Sequence, residues 1–365
     1  MSTDVTRKQT FWISEPQPMR EDRFARIRAA IEDRKPMSPP PYFDLNIGKG
    51  IRQAFLGRKI ESLKDDVEFW RQAGLCLYPA NFGFVQRPGE LTVPDGTVAH
   101  AHYSLYDNED VDMNWAQTGK GAVTSEEDFE NYPWPDANET DLSFLDKVQP
   151  LLPEGMRAAA NIGKIFTGTW QLMGFTFFCE ALRDNPKLVE RVFERVAAIQ
   201  TRLTERVIAH PVIGAVLHAD DLAYFSGPMV NPAIYRRYVF PAYKQMGEMC
   251  RRRGILYLYH SDGQMKDLIG DIVDCGFSGL HPIEPKPMDG VAIKAKWGRK
   301  ICLLGHIDVD LLARGTPQQV REQTQRNLDQ LARDGGYCPG SGNSVPDYVP
   351  VANFVAMIEA IQRWN

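Results

Sequence analysis

The 365-residue chain is long enough for one large α/β domain or two ordinary ones, and 43% hydrophobic with 24% charged residues is ordinary globular composition. A formal net charge of −5 leaves no basic footprint for nucleic acid. No apolar stretch approaches a bilayer span and the start lacks a signal-peptide core, so the expectation is a soluble, cytoplasmic protein that engages neither nucleic acid nor membrane.

Residues 1–20 are polar, with Pro16 and Pro18, and read as an arm on the surface or on a neighbouring subunit, anchored by Phe11, Trp12 and Ile13. Phe24, Ile27, Ala30 and Ile31 have helical spacing, which predicts a helix over Glu21–Lys35 that stops at Pro36. Residues 1–35 are thus an arm and helix, and residues 36–365 the main body. A first strand is expected over Pro39–Gly48, a helix over Ser62–Ala73 and a second strand over Leu75–Phe84.

Residues 85–140 interrupt this alternation. Val98–Tyr106 alternates and is aromatic, predicting a β-hairpin across a barrel mouth, while the acidic runs Asp107–Asp112 and Ser125–Glu130 read as solvated loop. Beyond them come a helix over Leu142–Leu151, a strand over Met156–Gly163, helices over Phe175–Arg183 and Pro186–Ala209, and a strand over Ile213–Ala219 that runs into Asp220-Asp221. A helix follows over Asn231–Arg253.

Three apolar runs then each end in polar, reactive side chains. Gly254–Tyr259 leads into His260-Ser261-Asp262-Gly263, Gly276–Leu280 into His281-Pro282-Ile283-Glu284, and Lys300–Leu304 into Gly305-His306-Ile307-Asp308. Such runs, separated by helix-length segments, read as buried parallel strands. In a β/α barrel the residues just past the strand ends share one mouth, so these histidines and carboxylates are expected to converge. The alternative is that Asp262 and Asp308 only cap the next helix. A helix over Pro317–Arg333, a Gly/Ser-rich loop over Tyr337–Val345 that closes on the mouth, and a last helix over Val351–Trp364 complete the chain. The six cysteines are scattered, with no CxxC pair, and read as small buried apolar residues in a reduced compartment.

Several stretches, in order, resemble the uroporphyrinogen decarboxylase superfamily: Gly168–Phe175, the Asp220-Asp221-Leu222 turn, Phe240-Pro241-Ala242-Tyr243, Gly305-His306-Ile307-Asp308 with Gly315-Thr316-Pro317, and Gly335-Gly336-Tyr337 through Ile358. The resemblance covers most of residues 155–362 and implies a single (β/α)8 TIM barrel, here with an N-terminal helical arm and a hairpin insertion after the second strand. It implies either decarboxylation or methyl transfer among substrates, corrinoid proteins and thiols.

The sequence departs from both chemistries. Phe43–Gly48 has no arginine where the decarboxylase carries an arginine-rich loop, Asn343 stands in place of its C-terminal histidine, and Pro79-Ala80-Asn81-Phe82 lacks its aspartate. Burying a many-carboxylate porphyrinogen without cations is costly. Against the His-x-Cys and later Cys of the zinc methyltransferases, the chain keeps His260 but has Asp262 and Asn343. A thiolate zinc site is excluded. An N/O site from His260, Glu284 and Asp221 or Asp262 is the candidate for zinc, and a metal-free hydrogen-bonded cluster is the alternative.

The expected function is therefore transfer of a methyl group from a small O- or N-methyl substrate to a corrinoid held by a partner protein, since the chain has no cobalamin-binding motif of its own and no covalently bound cofactor is expected. His260, Glu284, Asp221, Asp220 and His306 are the candidate catalytic residues. Asp262, His281, Asn343, Asn81 and Trp170 are candidate substrate contacts. A small-acid decarboxylase and a non-catalytic binding protein are the alternatives, and a homodimer is the expected assembly.

Overall fold

The computed structural model describes residues 22–82 and 121–365, with the backbone of Leu91–Thr92 and Val98–Ala99. The N-terminal arm and most of the hairpin insertion lie outside the described residues. Leu91–Thr92 and Val98–Ala99 pair antiparallel. Among the described residues, no helix is long and apolar enough to cross a membrane.

Seven strands form one parallel sheet in chain order: β1 (Leu77–Phe82), β2 (Arg157–Ile162), β3 (Ile213–Ala219), β4 (Leu256–His260), β5 (Gly279–His281), β6 (Cys302–Ile307) and β7 (Tyr337–Ser341). Because side chains alternate across a strand, each one feeds two cores. Leu256 and Leu258 of β4 face an inner cluster, whereas Tyr257 and Tyr259 face the helices outside. The inner cluster unites Leu77 of β1 with Cys338 of β7, so the sheet curls until its two edges share one interior.

The helix Arg23–Glu32 closes the end where the strands begin. Ile27, Ala30 and Ile31 enter the inner cluster, the Phe24 N–H donates to Gly155 O at 2.6 Å, and Arg23 donates to Leu75 O at 3.1 Å. Only the opposite end, where the strands finish, is left for a mouth. Outside, capping fixes where helices start: Ser62 and Asp65 form a capping box, as do Thr316 and Gln319 with Pro317 as the first helical residue, and Asn185 caps Pro186–Val207.

Three expectations change. Ser125–Glu130 is not loop, because the Ser125 side chain caps Asp128 N–H and places Glu126, Glu127 and Asp128 in the first turn of the helix Glu126–Asn131, where acidic groups are favoured. Tyr337–Ser341 is the last strand rather than a closing loop. Its small residues serve close approach: a Cβ on Gly340 would lie 1.8 Å from Phe43 O. Cys179 is exposed, whereas the other five cysteines are buried, and all six are free.

The stretch expected as first strand lies against β7 but forms only one ladder pair, Ile47 with Val345. The Phe43 N–H donates to Pro339 O at 3.0 Å, Val345 N–H to Asn46 O at 2.9 Å and Gly48 N–H to Val345 O at 2.7 Å. Between them a side chain replaces the backbone acceptor. The buried Asp44 carboxyl accepts from the Ser341 N–H at 3.3 Å, from the Ser341 hydroxyl and from the Tyr42 hydroxyl.

Burial pushes the Asp44 carboxyl from 3.8 up to about 7, against the hydrogen bonds from Ser341 and Tyr42. Between those values the folded chain holds a proton that the unfolded chain releases. The Asp44 contribution to stability is therefore complete below about pH 4 and lost as pH rises through about 7. Thermal unfolding of wild type and Asp44→Asn across this range is expected to show a decline in wild type that the variant lacks; parallel curves would contradict the assignment.

Candidate functional site

The site grows from the ladder. Ala219, His260 and His281 are successive register partners on β3, β4 and β5, and the pairing continues past the strands through Asp220 N–H to His260 O and Ser261 N–H to His281 O, both 3.0 Å. His260 and His281 therefore project inward side by side, with Nδ1 atoms 2.8 Å apart. On its other side His260 Nε2 lies 3.3 Å from Asp262 Oδ1 and 3.9 Å from Asp221 Oδ1. One ligand atom from each of Asp221, His260 and Asp262 falls within 4.8 Å of the others.

The turn carrying Asp262 is held from three sides. Asp262 N–H donates to Asp221 Oδ1 at 3.0 Å, Gly263 N–H to Glu284 Oε2 at 2.7 Å, and Asn343 Nδ2 to Asp262 Oδ1 at 2.8 Å. Gly263 has φ +83, and a Cβ there would sit 2.6 Å from the carbonyl oxygens of Ala223 and Tyr224. Only glycine meets both demands.

Charge follows from this packing. Burial alone lowers the His260 pKa, but the hydrogen bond to Asp262 and the charges of Asp262 and Asp221 raise it on balance. Burial raises Asp262, yet His260 and Asn343 hold it below the usual carboxylate range. Asp221 and Glu284 are raised, first by burial; Asp262 repels both, and His260 partly offsets this. Burial and then the His260 charge push His281 well down. An imidazolium on His260 facing an Asp262 carboxylate, with His281 neutral, satisfies these directions. His260 Nδ1–H then donates to His281 Nδ1, and the remaining His281 proton sits on Nε2, a buried atom with no hydrogen-bond partner.

Two predicted catalytic residues do not join the cluster. Asp220, fully buried, accepts from the N–H groups of Ile165, Phe166 and Thr167 at 2.8–2.9 Å and from the Tyr243 hydroxyl at 2.7 Å. Its carboxylate thus satisfies the free amides at the start of the helix Phe166–Met173. His306 is turned away by two successive left-handed residues, Gly305 at φ +92 and His306 at φ +81. A Cβ on Gly305 would lie 2.5 Å from Ser341 O, on the side of the His281 ring, so this position falls to glycine. His306 Nδ1 instead meets Ile283 O at 2.7 Å, and its Nε2 crowds Gly290 in the helix layer.

Of the remaining candidates, Asn343 reaches the cluster through Asp262, and His281 through His260. Glu284 borders it through Gly263 but is not among the three grouped ligand atoms, where Asp262 stands instead. Asn81 lines an inner cavity with Asp44 and Asn161. Trp170 packs edge-on against Phe175 in the outer core. The buried Asp44 was not legible as a site residue, because its environment comes from Ser341, 297 positions away.

The donor set of one imidazole nitrogen and two carboxylate oxygens suits zinc or a similar divalent ion, and His260 carries the further hydrogen bond on its other nitrogen that such ligands need. Asp220→Asn places an amide N–H against donors and is expected to cost on the order of 2–3 kcal/mol in urea unfolding; a loss under about 0.5 kcal/mol, within ordinary surface effects, would show that the anchor is unimportant.

No curated protein matches the sequence. Among solved structures, a methyltransferase from Methanosarcina mazei superposes with a TM-score of 0.67 at 14% identity, covering 93% of this chain and 98% of its own. A sugar phosphate isomerase/epimerase from Parabacteroides distasonis (TM-score 0.38, 11% identity, 88% and 94% covered) and a xylose isomerase-like TIM barrel protein from Mycobacterium smegmatis (0.35, 16%, 61% and 79%) are too distant to carry an argument. The family described as Uroporphyrinogen decarboxylase (URO-D) matches residues 117–364. With its parallel curled sheet and two-thirds of its length matched, the chain belongs to the uroporphyrinogen decarboxylase family.

Proposed function

We propose that the protein is a methyltransferase that removes a methyl group from a small O- or N-methyl substrate and passes it to a corrinoid carried by a partner protein. The observation that supports this best is the acidic cluster at the strand ends, in which Asp221, Asp262 and Glu284 surround one histidine pair. Porphyrinogen carboxylates would meet like charge there, whereas a neutral methylated substrate would not. The fold shared with the Methanosarcina mazei methyltransferase adds a precedent.

In this reading Asp221, His260 and Asp262 hold a zinc ion, which when bound supplies a Lewis acid for the substrate heteroatom. His281 keeps the His260 ring oriented through Nδ1. Glu284, raised by burial and fixed by Gly263 N–H, gives its proton to the departing heteroatom: the C–O or C–N electron pair stays on that atom while the methyl passes to the acceptor. The same reading takes residues 36–365 as a closed (β/α)8 barrel with residues 85–140 over its mouth and residues 1–35 as an arm, working as a cytoplasmic homodimer.

A second reading, decarboxylation of a small acid, draws on the raised His260 as proton donor. The two separate in one assay. Zinc-loaded protein, a corrinoid protein and a panel of methoxy and methylamine compounds are expected to yield demethylated product with about one metal per chain, and His260→Ala and Asp262→Ala each to lower metal affinity at least tenfold, as loss of a ligand does. CO2 release without any methyl acceptor would replace this reading with the second.

A further inference from the structure

Asn81 and Asn161 end the inner faces of β1 and β2 and are register partners in the parallel ladder, so their backbones stand one strand spacing apart, about 4.8 Å. Both line the inner cavity, whose other walls are mainly apolar: Phe43, Leu45, Leu77 and Leu217. The cavity measures about 20 Å³, room for one water-sized group, and it opens outward. Inner positions deeper along the same strands are Leu77 and Ala159. The change from apolar to carboxamide happens on both strands at the same level.

The three polar groups here differ in what they leave free. Asp44 spends its oxygens on Ser341 and Tyr42. Neither Asn81 nor Asn161 makes a side-chain hydrogen bond among the described residues. Two free carboxamides offer N–H donors to an ether or hydroxyl oxygen and carbonyl acceptors to a hydroxyl proton. An ammonium head would need a carboxylate with vacant lone pairs, and Asp44 has spent its own. A carboxylate head would lie beside the Asp44 carboxyl.

We propose that Asn81 and Asn161 form a carboxamide clamp for a neutral, oxygen-bearing ligand head rather than an ammonium or carboxylate head. Calling that ligand a substrate rests on the methyl-transfer reading; the clamp itself does not. The head group enters the cavity and the remainder of the molecule lies in the mouth.

Equilibrium titration of the full-length protein with 2-methoxyphenol and with tetramethylammonium, without corrinoid protein, tests this. Wild type is expected to bind 2-methoxyphenol, and any tetramethylammonium it draws to the acidic cluster is expected to be held equally well by Asn81→Leu and Asn161→Leu. Asn81→Leu and Asn161→Leu, near in volume but unable to hydrogen bond, are each expected to weaken 2-methoxyphenol about tenfold or more. Asn161→Asp, which keeps the shape and adds vacant anionic oxygens, is expected to weaken 2-methoxyphenol and gain tetramethylammonium binding, a result misfolding cannot give. Tetramethylammonium binding that both leucine variants weaken, no binding of 2-methoxyphenol to wild type, or full 2-methoxyphenol affinity in both leucine variants would each overturn the clamp. Binding as expected without methyl transfer would instead count against the catalytic reading alone.

Discussion

The parallel ladder from β3 through β5 is the constraint on which the site depends. Parallel pairing aligns every strand in one direction, so all the strand ends that carry polar groups emerge at the same end. The register His260 with His281 then sets the imidazoles in contact, and the two backbone hydrogen bonds beyond the strands carry Asp221 and Asp262 alongside. A slip of one residue in either strand would send its histidine to the helix layer. The far end is shut by Ile27, Ala30 and Ile31 of the first described helix, which leaves one face for chemistry.

That face holds more acid than base. His260, its pKa raised on balance by the carboxylates, stands among Asp221, Asp262 and Glu284, and burial and then His260 push the second histidine well down. The raised Asp221 and Glu284 follow first from burial, with repulsion from Asp262 adding to it. Such a cluster draws a cation or keeps protons. Both outcomes are useful where a leaving oxygen or nitrogen has to be neutralised.

Two carboxylates that look alike in the chain have opposite duties. Asp220 is consumed by three backbone amides and a tyrosine, so it fixes a helix, while Asp221, one residue on, faces His260. Asp44 works as a third kind, a side chain standing where a strand would offer a carbonyl, and it ties the first extended stretch to β7. The absence of a Cβ at Gly340 makes that approach feasible.

Apolar runs bounded by glycine, helical periodicity and capping residues are local properties, and they were enough to mark β1 to β6, most helices and the strand-end location of His260, Asp262 and Asp221. The family was legible for the same reason, since its motifs sit in short turns. What depends on neighbours was not. His306 follows the strand-end pattern yet points outward, because two left-handed residues reverse the alternation; a glycine and a histidine in sequence do not announce that conformation. Tyr337–Ser341 has loop composition but is a strand because β6 pairs with it. Asp44 and Asn161 acquire meaning only once the stretch before Gly48 lies on β7 and β1 pairs with β2, which brings Ser341 and Asn81 to them. The amino-acid sequence by itself determined most of the elements, their parallel order and the chemical types gathered at one end, for these follow from spacing and side-chain chemistry. Which of those groups touch, which are spent on backbone amides and which stay free was decided by the tertiary structure alone, because hydrogen-bond capacity is used up by partners far away in the chain.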